Sequence, residues 1–383
     1  MKTFIRIIII STLSLVIFIQ NSLSGEKIKI GLIVPMSGKN SQIGNSIIKS
    51  VRLAINKIND DKVEIIPKDT KSNPIDSLKA SMELYDQGVR IVIGPVFNES
   101  VKYLDELKEI TFISLTNKIY GNPKNVISAG VNAISQINTI KKFKKNNNLE
   151  RSIFLIPKTY YKKEIDLAIS KTKIKLKDTF YYDSDPTLLT AQIEKLTRYS
   201  QRKQNLKDEI ERLENSSVTN KEKKIENLKK RDTLGGINFD SVIIADFDES
   251  LKSVATSLLY TDVSSKRISY LTLNQWFDKS LLKETSLHPI YFPSINKENY
   301  DLFIKEYDSL YKTTPNQISF LSYDLVGLVY YLIYKNNFEI SDDIFYEKNK
   351  FKGKIGIFEI NKNVITHQLN FYSVEENQFK KIF

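Results

Sequence analysis

Two histidines, His288 and His367, and no cysteine leave this 383-residue chain little with which to do covalent or metal chemistry. A nucleophile–base–acid triad needs an imidazole beside its hydroxyl, and a zinc site needs three or four nitrogen, sulfur or carboxylate ligands. The two histidines are far apart in sequence, His288 just before Pro289 and His367 near the C-terminal end. With no cysteine, no thiolate is on offer and no disulfide can form. Neither G-x-x-x-x-G-K-[ST] nor G-x-G-x-x-G occurs, so the loops that cradle nucleotide phosphates are absent. Asp246, Asp248 and Glu249 could hold a cation or work as acid and base, but such a cluster is more often a solvated loop. The reading is of a non-enzymatic protein that binds reversibly, without cofactor or metal.

The elements that must position a binding site are easier to read. KIKIGLIV at Lys27–Val34 is a strand buried on both faces, closed by Pro35, Ser37 and Gly38. A helix follows from Gly44 to about Ile58, then a strand Val63–Pro67, a helix opened by Pro74 and stopped by Gly88, and a strand Val89–Ile93. Another helix should reach about Leu107 before a strand Thr111–Leu115. Alternation restarts with a helix Ala133–Lys145, then strand Ser152–Ile156, helix Lys162–Lys171 and strand Thr179–Tyr182. It continues with strand Ser241–Ala245, helix Ser250–Tyr260 and strand Ile268–Leu273. Helices Tyr300–Tyr311 and Leu321–Tyr334 follow, and Lys354–Ile360 with Asn370–Val374 read as a terminal β-hairpin. Strand and helix in regular alternation mean an α/β protein with two Rossmann-like, doubly wound lobes.

One segment departs from that pattern. Between Ala191 and Arg231 the chain is nearly all polar or charged apart from Leu196, Tyr199, Leu206, Ile210 and Leu213, then Val218, Ile225 and Leu228. The first five fit an a/d register interrupted by Lys203, which implies a helical hairpin inserted at 191–231 and turning near Asn215–Asn220. It is either a solvated decoration or an arm that docks on a partner.

The N-terminus has the form of an export signal: Lys2 and Arg6, an apolar run Ile7–Ile19, and small residues around Ser22 and Ser24. Residues 1–24 are expected to be cleaved, leaving a periplasmic protein that starts near Gly25 and, without cysteine, is not a lipoprotein. The apolar run falls short of the roughly 20 residues a spanning helix needs. A formal charge of +12 invites nucleic acid, but lysine is scattered along the whole chain rather than gathered in a stripe, so no nucleic-acid partner is expected.

In an open α/β sheet a ligand meets the loops beyond the carboxyl ends of the strands, where helix N-termini attract anions. Those loops hold Ser37 and Gly38, Gly94–Ser100, Ser114–Asn117, Thr159–Tyr161, Asp246–Glu249 and Asn274–Trp276. Ser37 and Ser100 serve equally well as plain helix caps. Trp276 is a cleft wall or ordinary packing.

IGLIVPMSGKNSQIGNSIIKSVRLAIN, KDT at Lys68–Thr70 and VIGPVFNES at Val92–Ser100 resemble the type I periplasmic solute-binding proteins, of which the leucine/isoleucine/valine-binding proteins are familiar members. The helical hairpin followed by RDTLGGINFDSVIIADFDESL and YLTLNQWFDKSLL resembles the penicillin-binding protein activator branch of the same superfamily. The resemblance implies a first lobe at 25–131 plus 294–338 and a second at 132–293 plus 339–383, with a ligand cleft between them. It places carboxylate-binding hydroxyls at Ser100, Ser114 and Thr116 and a stacking aromatic at Tyr161. Amino-acid binders pair the ligand ammonium with an acid where this chain has Asn274 and Gln275, so Asp246 or Asp248 would substitute. Two roles follow from the two branches. A transport protein would close on a small polar ligand such as an amino acid and present it to an ABC permease; a regulator would instead contact a cell-wall synthase.

Overall fold

The computed structural model describes residues 27–341 and 343–383. The expected signal segment 1–24 and mature start near Gly25 lie outside the described residues. The chain forms two compact units. One holds the described residues up to Thr116 with Asn122–Ile127 and Tyr307–Glu347; the other holds Asn117–Gly121, Ser128–Glu306 and Lys348–Phe383.

The first unit is built on β1 (Ile28–Val34), α1 (Ser41–Ile58), β2 (Val63–Asp69), α2 (Pro74–Asp86), β3 (Ile91–Ile93), β4 (Thr111–Ser114) and β5 (Val126–Ser128). Its sheet runs β2-β1-β3-β4-β5, and β1 pairs in parallel with both β2 and β3. Ile30, Leu32, Ile33 and Val34 are almost wholly buried, because helices cover both faces of a parallel strand. Pro74 begins α2, where its missing N–H costs nothing, and the Asn73 side chain caps the helix at Asp76 N. The helix expected to reach about Leu107 does not form; in its place stand two 3-10 turns, Asn98–Val101 and Leu104–Glu106.

The second unit contains α3 (Ala133–Asn146), β6 (Ser152–Pro157), α4 (Lys162–Thr172), β7 (Asp178–Tyr182) and α5 (Pro186–Thr197). These are followed by α6 (Tyr199–Glu214), α7 (Lys221–Lys229), β8 (Ser241–Ile244), α8 (Asp248–Tyr260), β9 (Ser269–Thr272) and β10 (Ile290–Ser294). Next come α9 (Lys297–Tyr311) and α10 (Gln317–Lys335), the latter in the first unit, and then β11 (Asn349–Lys352), β12 (Ile357–Asn361), β13 (Val364–Gln368), β14 (Asn370–Glu375) and β15 (Gln378–Lys381). The large sheet has the order β15-β14-β10-β9-β8-β6-β7. Its parallel part, β7-β6-β8-β9-β10, repeats the 2-1-3-4-5 order of the first unit.

Three expectations are corrected here. The two segments assigned to a terminal hairpin do not pair with each other: β12 joins β11 and β13 in a separate three-stranded sheet, while β14 runs antiparallel to β10 and β15. Ile290–Ser294, to which the sequence pattern assigned no element, is a strand, with Pro293 opposite Phe371. The helical insertion does not begin at Ala191, because α5 is part of the α/β unit with Leu189 and Ile193 buried; a left-handed Arg198 breaks the helix, and α6 and α7 form the hairpin. The turn at 215–220 is as read.

Candidate functional site at the strand ends

Each unit has a switch point where neighbouring parallel strands lead their connections to opposite sides, between β1 and β3 in the first and between β6 and β8 in the second. That is where an open sheet leaves a crevice.

In the first unit the chain leaves β1 through Pro35–Gly38, and Gly38 has φ +77°. The Asp69 carboxylate at the end of β2 clamps this turn: Oδ1 accepts from Met36 N at 2.8 Å and Oδ2 from Ser37 Oγ at 2.6 Å. Burial alone would raise the Asp69 pKa, but the Ser37 hydroxyl and the Lys71, Met36 and Ser37 amides together hold it below the usual carboxylate range. Ser37 therefore has a structural partner. Gly44 lets α1 press against the same turn, since a Cβ there would lie 1.8 Å from Pro35 O.

After β3 the chain turns at Gly94, whose φ is +111° and whose N–H donates to Ile113 O. Ser114 Oγ donates to Pro95 O at 2.8 Å, tying the ends of β3 and β4 together, and Thr116 is buried beside it. Ser100 sits in the first 3-10 turn, 1% exposed, and its Oγ has no hydrogen-bond partner among the described residues. Of the four first-unit candidates, Ser37, Ser100, Ser114 and Thr116, all lie at this sheet edge, and Ser100 alone has a buried hydroxyl with nothing bound to it.

In the second unit Tyr161 precedes α4 and donates its hydroxyl to Ala245 O at 3.0 Å and Asp246 Oδ1 at 3.2 Å. Asp246 is 6% exposed and also accepts Tyr182 Oη at 2.6 Å on Oδ2 and Phe247 N at 3.1 Å on Oδ1. Burial raises its pKa, while the Tyr182, Phe247 and Tyr161 donors pull the other way. Both tyrosines are raised in turn by burial and by the Asp246 charge. Asp246 is thus partnered from within its own unit. Asp248 begins α8 on the exposed surface with φ +50°.

Asn274 follows β9, 3% exposed; its Oδ1 accepts Ser294 Oγ at 2.8 Å and Trp276 N at 2.9 Å, its backbone N–H donates to Gln136 Oε1, and its Nδ2 has no partner. Trp276 is half-buried. Sequence reading missed Asp69, Tyr182, Gln136 and Ser294, which hold the candidates in place. Asp69 stood within the KDT segment and could have been found there; the other three carry no local signal.

Among the described residues no group of three or more His, Asp or Glu is placed to hold a metal, and no helix is long and apolar enough to cross a membrane.

Residues 27–163 match the family model described as periplasmic binding protein. No curated protein matches the chain. Among solved structures, a putative branched-chain amino acid ABC transporter from Rhodospirillum rubrum superposes with a TM-score of 0.69 at 14% identity, covering 93% of this chain and 100% of that one. The leucine-binding protein LivK from Thermotoga maritima gives 0.56 at 16%, covering 93% and 98%. The C-domain of LpoA from Haemophilus influenzae, a regulator of PBP1A, gives 0.58 at 11%, covering 93% and 100%. The chain has the fold of the type I periplasmic binding proteins. It shares that fold with both the leucine-binding protein and the LpoA C-domain.

Proposed function

We propose that this chain is an exported, non-enzymatic solute-binding protein of the periplasm that takes a small polar ligand at the strand ends of its lobes. The observation that carries the reading is the unpartnered, buried Ser100 hydroxyl at the first unit's switch point, where an anionic group would find both that hydroxyl and main-chain amides. A free amino acid with its carboxylate on this edge, delivered to an ABC permease, is the leading ligand class. Mass spectrometry of small molecules released from gently purified protein tests it. A stoichiometric amino acid, together with compaction in solution scattering when it is added back, is the expected result. Protein that carries no solute and does not compact with any amino acid would refute the transport role.

A second reading has its own support. Helix α7 has no buried residue and α6 is anchored mainly through Tyr199, Arg202, Leu206 and Leu213. Arg202 donates from Nε to Thr197 O and from a terminal nitrogen to Thr261 O, fixing the root of the arm. A projecting arm of this kind suits a regulator of cell-wall synthesis that acts through protein contacts. Loss of synthase binding on replacing residues 215–230 by a short glycine linker, with solute binding unchanged, would favour that role.

A further inference from the structure

The second unit holds a cavity of about 550 Å³ that none of the strand-end candidates lines. One wall is α3, with Asn138, Thr139 and Lys142; another is the β11–β12 hairpin, with Lys352, Gly353 in the turn and Glu359 in β12; Asn296 and Asn299 at the start of α9, His367–Asn370 and Phe383 close it. Its volume falls within the range of small-molecule sites.

Three features define what it would hold. The Glu359 carboxylate is already neutralised by Lys350 at 2.8 Å and accepts Gln368 Nε2 at 2.7 Å, so the lining side-chain charges without an ion-pair partner among the described residues are Lys142 and Lys352. The amides offer both senses of hydrogen bond. Asn299 and Asn370 each donate one Nδ2 hydrogen, to Lys354 O and Tyr372 Oη, and keep Oδ1 as an acceptor, whereas Asn296 accepts Asn299 N on Oδ1 and keeps its Nδ2 donors. The ring of Phe383 stacks on Phe371 and carries Lys142 Nζ 4.0 Å from its centroid, so the apolar part of this wall is the ring edge with the Lys142 stem. Hydroxyl groups need donors and acceptors together, an anion needs the lysines, and a sugar ring needs an apolar face.

We propose that this cavity is a second binding site, for a hydroxylated carboxylate of the uronic acid class. It also touches the chain where it passes between units. His367 lines the cavity, is 4% exposed, and its Nε2 lies 2.8 Å from Ala129 O, two residues past the boundary at Ile127. Donation from Nε2 leaves Nδ1 an acceptor, and it has no partner.

Titration calorimetry with glucuronate, in low salt, tests the assignment, with glucose as the uncharged arm and imidazole NMR as the positional readout, since the chain has only two histidines. Saturable glucuronate binding is expected, with a shift of the His367 signal. Glucose should bind at least about tenfold more weakly, and the exposed-lysine variants Lys142→Gln and Lys352→Gln should each weaken glucuronate by about tenfold. Ser100→Ala, at the other site, should leave it unchanged. No saturable heat with glucuronate overturns the proposal, as does equal binding of glucose, unchanged binding in the double lysine variant, or loss of binding in Ser100→Ala.

Discussion

Tyr182→Phe removes the shortest bond to the most buried carboxylate at the second unit's strand ends. Tyr182 Oη lies 2.6 Å from Asp246 Oδ2, and the remaining donors, Tyr161 Oη and Phe247 N, both go to Oδ1. The variant therefore leaves one carboxylate oxygen without a partner in a residue that is 6% exposed. A hydrogen bond to a charged group contributes about 1.5–3 kcal/mol, and the stranded oxygen keeps the loss near the upper end, so about 2–3 kcal/mol is expected at pH 7.5. The loss should depend on pH. Burial holds the Asp246 pKa above its ordinary 3.8, so the folded state keeps this proton longer than the unfolded state and loses stability as pH rises from 3.8 through the raised value. The Tyr182 hydroxyl opposes that shift; without it the folded pKa climbs further and the window of loss widens. The difference between variant and parent should therefore shrink at acid pH toward the roughly 1 kcal/mol of a neutral bond and reach its plateau above the window. Trp276, the chain's one tryptophan, lies in the second unit, so its fluorescence during urea unfolding reports that unit's stability. An equal difference at pH 4 and pH 7.5, or a loss under about 0.5 kcal/mol at pH 7.5, would refute the reasoning.

Gly44→Ala should destabilise the first unit by roughly 3 kcal/mol or more, since its Cβ would meet Pro35 O at 1.8 Å and backbone must move; circular dichroism melting checks it. Ser100→Ala should change stability by less than about 0.5 kcal/mol, because the deleted hydroxyl is unpartnered, and should weaken a bound carboxylate by about tenfold. His367 should titrate near pH 4 in NMR, its charged form disfavoured by burial. Because the folded value lies below the ordinary 6.5, stability should fall as pH drops from 6.5 to about 4, by about 3 kcal/mol in total, and His367→Gln should flatten that slope.

Periodicity carried the parts of the fold whose burial is one-sided or total. Lys27–Val34 was legible because a strand covered on both faces must be apolar throughout, and α10 because Leu321, Leu325, Val329 and Leu332 recur on one buried face. β10 was not legible, because it is bounded by Pro289 and contains Pro293, and proline is disfavoured inside a sheet; Pro293 nonetheless lies in the strand, opposite Phe371. β12 and β14 were recognisable as strands, but alternation does not say with which strand each pairs, and they belong to different sheets. At the site, the loops holding Ser37, Ser100 and Ser114 followed from the strand ends alone. What holds them did not: Tyr182 and Asp246 are 64 residues apart, and Gln136 reaches Asn274 across 138. Hydrogen bonds over such separations leave no trace in a local pattern.

The two carboxylates at the end of β8 do different work, and single substitutions separate them. Asp246 already accepts three hydrogen bonds from its own unit and is 6% exposed, so its charge is spent chiefly on internal partners. Replacing it by Asn removes the charge those tyrosines face and should act chiefly on the stability of the second unit. Asp248 is exposed in the first turn of α8, where the helix dipole favours a negative charge and solvent keeps the oxygens available. If an amino acid binds with its amine at this strand end, Asp248→Asn should weaken it by about fivefold or less, the magnitude of an exposed ion pair, and leave unfolding almost unchanged. Asp246→Asn should do the reverse. Calorimetric titration and Trp276-monitored unfolding of the two variants side by side decide it. A loss of amino-acid affinity in Asp246→Asn, with stability intact, would show that the carboxylate leaves its tyrosines for the ligand and that the internal pairing described here is not the binding state.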